Sequence, residues 1–322
     1  MRCDCRIHGS EGQGSMIYRR IALIGMGLVA SSIALAAKRH GLAERIDGHA
    51  KSASTSELAV ERGLVDKMHA TPEEAVDGAD LVVLCTPVSA FGSIVERIAP
   101  FLGKGATLSD VGSVKSHVIK TVAPLVPEDV HFIPAHPIAG TEHSGPQSGF
   151  AELFEGRWCI LTPGADADQE AVDRLAGFWN AMGAQVDFMD ADHHDLVLAV
   201  TSHAPHLIAY TMVGVADHLR RVTSSEVIKY SAAGFRDFTR IAASDPTMWR
   251  DVFLGNKQAT LEILGRFTEE LFALQRAIRT DQGDVLHKYF RETREIRRGI
   301  IEAGQDTALS DFGRRKDSEN QP

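Results

Sequence analysis

The chain has 322 residues, enough for two domains that each bury a core. Hydrophobic residues make up 44% and charged residues 24%, the balance of an ordinary globular protein. A net charge of -9, from 34 basic and 43 acidic residues, argues against a general nucleic-acid binder and against a ligand of anionic membranes. It does not argue against a small anionic substrate, which a few arginines can hold.

Residues 1–15 carry no hydrophobic segment of the secretory kind and read as a disordered leader, with Met16 as an alternative start. No apolar run reaches the ~18 residues of a spanning helix, so no membrane association is expected. Cys3 and Cys5 are too close for an ordinary bridge, and Cys85 and Cys159 lie in apolar, strand-like runs. That pattern suits a reduced, cytoplasmic protein.

From residue 16 to 190, short β-branched runs alternate with amphipathic stretches. Strands are expected at Arg20–Ile24, Arg45–Ala50, Leu81–Thr86, Thr107–Asp110, Val130–Ala135, Trp158–Thr162 and Gln185–Met189. Helices are expected at Ala30–His40, Ser54–Glu61, Ser89–Ala99, Ser116–Pro124 and Gln169–Met182. The alternation implies βαβ units and a Rossmann-type, mostly parallel sheet in an α/β domain. Strand signals then stop. Residues 191–310 read as an all-α domain, with Leu261, Leu264, Phe267, Leu271 and Leu274 at helical spacing, and 311–322 as a polar tail.

The first strand runs directly into Gly25-Met26-Gly27-Leu28-Val29-Ala30, and a helix opens behind it. Gly25 permits the tight turn, Gly27 lets the backbone approach a pyrophosphate, and Ala30 keeps strand and helix close. Strand, glycine turn and helix in that order point to a dinucleotide. The fingerprint expects an acid about twenty residues on, bonding the ribose 2′-hydroxyl. Ala50 stands there, followed by Lys51 and Ser52, a set better matched to a 2′-phosphate. The cofactor is therefore NADP or NAD, with a tilt toward NADP. The rival acid, Asp47, lies before the strand end and reads as a strand residue. Thr86-Pro87 ends another strand at the carboxyl edge of the sheet, where ligands bind, although proline there also simply stops a ladder.

Polar residues concentrate in Asp110-Val111-Gly112-Ser113-Val114-Lys115-Ser116, in His136-Pro137-Ile138-Ala139-Gly140-Thr141-Glu142, and in Gly234-Phe235-Arg236-Asp237-Phe238-Thr239-Arg240. Ser202-His203-Ala204-Pro205-His206 and Trp249 flank the last. In combination these motifs resemble the prephenate/arogenate (cyclohexadienyl) dehydrogenase family, from about Ile21 to Glu302. The resemblance implies an α/β domain that binds the nicotinamide cofactor and a helical domain that forms a homodimer. It implies His136 as the base on the ring hydroxyl of prephenate or arogenate, and Ser113 as the residue orienting that histidine and the nicotinamide. It implies Arg240 on a substrate carboxylate, with His206, Thr141, Glu142, Arg236, Asp237 and Trp249 lining the pocket. Tyrosine, which shares the substrate's side chain, would then compete at the active site.

Each residue also has a plainer role open to it. His136 taken without its motif is suited to a satisfied strand end, and Ser113 to the N-cap of a helix over Val114–Thr121. Arg240 is suited to a surface ion pair, Trp249 to a dimer core and His203 to helix-start packing. Asp192-His193-His194-Asp195 reads as a capped helix start rather than a metal site. Two other functions share the two-domain plan: a β-hydroxyacid or 6-phosphogluconate-type dehydrogenase, and a non-catalytic NADP-binding sensor. The first would need a lysine where Ser202, His203 and His206 stand. The second would have no use for His136, Ser113 and Arg240 together.

Overall fold

The structure, a computed structural model, describes residues 16–141, 143–223 and 233–302. The expected leader, the polar tail and Glu142 lie outside the described residues. The described residues fall into two compact units, the first up to Leu261 and the second from Glu262.

Within the first unit, β1 (Tyr18–Ile24) is apolar on both faces, and its last four residues are buried. It pairs in parallel with β2 (Ala43–His49) on one side and β4 (Leu81–Leu84) on the other. With β3 (Lys67–His69), β5 (Thr107–Asp110) and β6 (His131–Phe132) the order is β3-β2-β1-β4-β5-β6, every neighbouring pair parallel. The order reverses between β1 and β4. At such a switch point the carboxyl ends of the strands open a crevice. Separate apolar cores cover the sheet. One gathers Ile21, Leu23, Ile33 and Phe178, the other Ala22, Ile24, Phe91 and Val118.

The expected helices form as α1 (Leu28–His40), α2 (Ala53–Glu61), α4 (Phe91–Ile98), α5 (Ser116–Val122) and α6 (Gln169–Ala181), with a short α3 (Pro72–Val76) between the first two and the rest. Neither α3 nor β3 is legible from periodicity, because each is five residues or shorter. The strand expected at Val130–Ala135 is two elements. β6 ends at Phe132, and β7 (Ala135–Pro137) joins a second sheet, antiparallel to β8 (Trp158–Leu161), which pairs in parallel with β9 (Gln185–Phe188). Pro134, with no N–H to offer a ladder, stands at the break. The break moves His136 off the main sheet.

After β9 the chain is helical. α7 (Ala191–Leu198) continues through a π turn (Ala199–His203) into α8 (Ala204–Thr223). Helices at Ala233–Thr239, Pro246–Gly255, Lys257–Arg279 and Gly283–Ile300 follow. Ala191–His218 is long and apolar enough to cross a membrane by length and composition, contrary to the expectation from apolar runs. On the chain by itself, 28% of this helical stretch is buried. Its Asp195 accepts backbone hydrogen bonds from Lys115 and Ser116 at the start of α5. In the second unit Leu271, Phe272, Ile278, Phe290 and Ile296 are exposed on the chain by itself. Cys85 and Cys159 are free thiols.

Candidate active site

The glycine turn sits at the carboxyl end of β1. Gly25 has φ +99°, and a Cβ there would lie 2.8 Å from Thr86 Cγ2 and 2.9 Å from the Cys85 carbonyl, so only glycine fits. At Gly27, the N-cap of α1, a Cβ would meet nothing within 4 Å. The first glycine is demanded by the protein's own packing, whereas the second leaves open space before a helix N-terminus. Leu28 and Val29 form the first turn of that helix, half-buried. Thr86, between β4 and Pro87, has its hydroxyl buried with no hydrogen-bond partner. An orphaned hydroxyl beside an uncapped helix start fits a bound dinucleotide.

The end of β2 bears on the choice of cofactor. Asp47 is fully buried, bonded to Arg20 and Arg45 at 2.6 and 2.8 Å, and so is spent as a strand residue. Ala50 follows the strand, and the exposed Lys51 has no hydrogen bond or ion pair among the described residues. Ser52 is the N-cap of α2, its hydroxyl accepting from the Thr55 N–H at 3.1 Å.

His136 is buried on β7, and its ring Nδ1 lies 2.9 Å from His194 Nε2. His194 Nδ1 in turn lies 2.9 Å from Asp195 Oδ1. Asp195 is held by the N–H groups of Lys115 and Ser116, at 2.7 and 3.0 Å. Burial pushes its carboxyl up, but the hydrogen bonds from His194 and those two amides outweigh burial and hold it below the usual range. The remaining His136 nitrogen, Nε2, has no hydrogen-bond partner among the described residues. No hydrogen bond joins Ser113 to His136, whose Nδ1 is met by His194. Nor does Ser113 cap a helix. α5 begins at Ser116, with Lys115 as the flanking residue and no side-chain cap.

Lys115 is wholly buried. Its ammonium donates to Asp110 Oδ1 and, at 2.7 Å, to the carbonyl of Ala135, the residue before His136. Lys115 lies in the polar segment after β5, and His194 and Asp195 in Asp192-His193-His194-Asp195, but neither segment marks them as partners of His136. The hint is that His194, Asp195 and Leu198 share the inward face of α7.

A second cluster lies along the π turn. His206 stacks on Trp249 with ring centroids 3.7 Å apart, and His203 meets the same indole edge-on at 6.1 Å. His206 Nδ1–H donates to the Ser202 carbonyl at 2.8 Å. Burial, and then the nearby positive charge of Arg240, push its pKa down. The Trp249 indole N–H is buried without a partner. His206, Trp249 and Arg240 are thus brought together. Thr141, Arg236 and Asp237 are exposed. Thr141 Oγ1 accepts from the His143 N–H at 3.2 Å.

His136, His194 and His203 are all held neutral, chiefly by burial, with His203 pushed down to about 4. Their folded values lie below those of the unfolded chain, near 6.5. The stability they contribute is therefore complete above pH ~6.5 and is lost as pH falls toward the folded values, at up to about 1.4 kcal/mol per pH unit for each imidazole. Denaturant unfolding at fixed protein concentration is expected to give a clearly smaller free energy at pH 5 than at pH 7. Equal values would contradict the neutral, buried assignment.

Residues 33–188 match a family model described as prephenate dehydrogenase, nucleotide-binding domain, and residues 190–292 one described as prephenate dehydrogenase, dimerization domain. A cyclohexadienyl dehydrogenase of Zymomonas mobilis is 40% identical over 281 residues, covering 87% of this chain and 96% of that one. Among solved structures, a prephenate dehydrogenase from Aquifex aeolicus, in complex with hydroxyphenyl propionate and NAD+, superposes with a TM-score of 0.80 at 32% identity, over 88% of this chain and 98% of that one. A Synechocystis arogenate dehydrogenase does so with a TM-score of 0.73 at 27% identity, over 87% and 99%.

Proposed function

The chain belongs to the prephenate dehydrogenase family, and on that premise we propose that it oxidatively decarboxylates prephenate, arogenate or both, in tyrosine biosynthesis, with His136 as the base. One observation carries the assignment of the base: a buried histidine holds His136 by Nδ1 and leaves Nε2 without a partner among the described residues. Oxidising the ring carbinol requires its hydroxyl proton to leave as the carbon gives up hydride. His136 Nε2 accepts that proton. The ring carboxylate, then vinylogous to the new carbonyl, departs as carbon dioxide, and its electron pair completes the aromatic ring. Arg240 holds a substrate carboxylate with a planar, permanently charged group. His206 and Trp249 wall the pocket beside it, and Thr141, Glu142, Arg236 and Asp237 complete it. Ser113, in the turn after β5, would help orient His136 and the nicotinamide.

Gly25, Gly27, Leu28, Val29, Thr86 and Pro87 hold the cofactor, with residues 16–190 as its domain and 191–310 as the dimerisation and substrate domain. The bound nicotinamide supplies the hydride acceptor. We read the preference as NADP, because Ala50 offers no carboxylate to a ribose hydroxyl and Lys51 is free to meet a 2′-phosphate. Ala50→Asp is expected to lower kcat/KM for NADP at least ~10-fold while raising it for NAD, since a carboxylate repels the phosphate and bonds the hydroxyl. An unchanged ratio would remove Ala50 from the selectivity.

A homodimer that covers the exposed apolar residues of the helical domain, a cytoplasmic location, and inhibition by tyrosine competing in the active site complete the reading. Initial rates with prephenate and with arogenate, each paired with NAD and with NADP, test it directly. Failure to oxidise either substrate with either cofactor overturns the assignment.

A further inference from the structure

We propose that His194 and Asp195 are positioning residues for this reaction, holding His136 in the tautomer whose Nε2 presents a lone pair to the substrate. The proposal rests on the reading of His136 as the base.

The hydrogen-bond directions are fixed from one end. An ionised carboxylate only accepts, so the contact between Asp195 Oδ1 and His194 Nδ1 at 2.9 Å has the proton on His194. A neutral His194 then has a bare Nε2, which accepts at 2.9 Å from Nδ1–H of His136. His136, carrying its proton on Nδ1, is bare at Nε2. The anchor is rigid. Asp195 takes backbone hydrogen bonds from Lys115 and Ser116, and its carbonyl accepts from Asn256 Nδ2 at 2.6 Å. Without His194 either ring nitrogen of His136 could carry the proton, and in the wrong tautomer Nε2 would be a donor with no capacity to act as a base.

The same chain has a use after the proton arrives. Burial, and then the charges of His194, Lys115 and His203, disfavour a positive charge on His136, whereas the Asp195 carboxylate, bonded to His194 Nδ1, favours one on His194. As Nε2 gains the substrate proton, Nδ1 passes its own to His194 Nε2. The charge then sits on His194 against the Asp195 carboxylate, and His136 is neutral again. One proton enters and one moves on, with no other group consumed.

The imidazole tautomer can be read without substrate. In protein labelled with 15N-histidine at pH 7.5, His136 is expected to show a protonated Nδ1 and a bare Nε2. His194→Phe should mix the tautomers of His136 and lower kcat by about 10²-fold, with KM for either substrate within ~3-fold of wild type and the acid limb of the kcat profile displaced. His194→Gln, whose Oε1 can accept from Nδ1–H, should keep the tautomer and recover most of the rate. Loss in His194→Phe through misfolding would be exposed by thermal unfolding, in which case the wild-type tautomer and the His194→Gln rate decide. A wild-type His136 protonated on Nε2, or a His194→Phe variant with near-normal kcat, overturns the proposal. Should neither substrate be oxidised by the wild-type enzyme, the reading of the reaction falls, and the tautomer measurement still decides whether His194 and Asp195 orient His136.

Discussion

His136→Asn is expected to lower kcat by about 10²–10⁴-fold, the range of general base catalysis, while KM for the cyclohexadienol substrate stays within a few-fold. The asymmetry follows from where the interaction is made. Proton transfer to Nε2 develops only in the transition state, so its loss reaches kcat and leaves ground-state binding to Arg240 and the pocket walls. Asparagine is the informative replacement. Its Nδ2–H can stand in for the imidazole Nδ1–H against His194 Nε2, so the buried chain to Asp195 is kept while the base is removed. Cofactor binding, measured by fluorescence titration, should be unchanged, because the glycine turn after β1 is formed independently of β7. A variant retaining more than about a tenth of wild-type kcat would mean that another group takes the proton.

The α/β half was legible because its signals are local. A β-branched strand, a glycine turn and a helix between Tyr18 and His40 specify one another, and five of the expected helices form within a few residues of their expected bounds. The chemistry around His136 was only partly legible. The histidine announces itself in a motif, yet what orients it comes from residues 194 and 195, nearly sixty positions on, and from Lys115, twenty positions back. Asp192-His193-His194-Asp195 does begin a helix, capped by Asp190 accepting from the His193 N–H at 2.9 Å, and that satisfied reading concealed its inward face. The helix-cap reading of Ser113 fails for a related reason. A serine after a strand suggests a cap, but the turn runs on to Ser116, and the capping of the α5 amides is done from α7 by Asp195. A cap supplied by a distant helix leaves no local trace in sequence.

The largest expected effect on stability comes from Lys115 and Asp110, whose side chains are both fully buried and bonded to each other. Burial raises the Asp110 carboxyl and lowers the Lys115 ammonium despite their mutual attraction, so desolvation is the dominant cost of the pair. Lys115→Met leaves the carboxylate with backbone N–H groups alone, chiefly that of Gly112 at 2.7 Å. Asp110→Asn removes the carboxylate charge and leaves the ammonium uncompensated beside the Ala135 carbonyl. Either single change is expected to destabilise the fold by about 3–5 kcal/mol, because an unpaired charge then sits where water cannot reach. The double replacement Asp110→Asn with Lys115→Met should cost less than either alone, since it removes both charges and keeps an acceptor for Gly112. Denaturant unfolding of the four proteins at one concentration closes the cycle. Single variants within about 1 kcal/mol of wild type would show that the pair is not charged in the folded state. The same ammonium fixes the carbonyl before His136, so Lys115→Met should also lower kcat in whatever fraction remains folded, with the cofactor still bound. A loss of stability without that loss of turnover would separate the brace from the base.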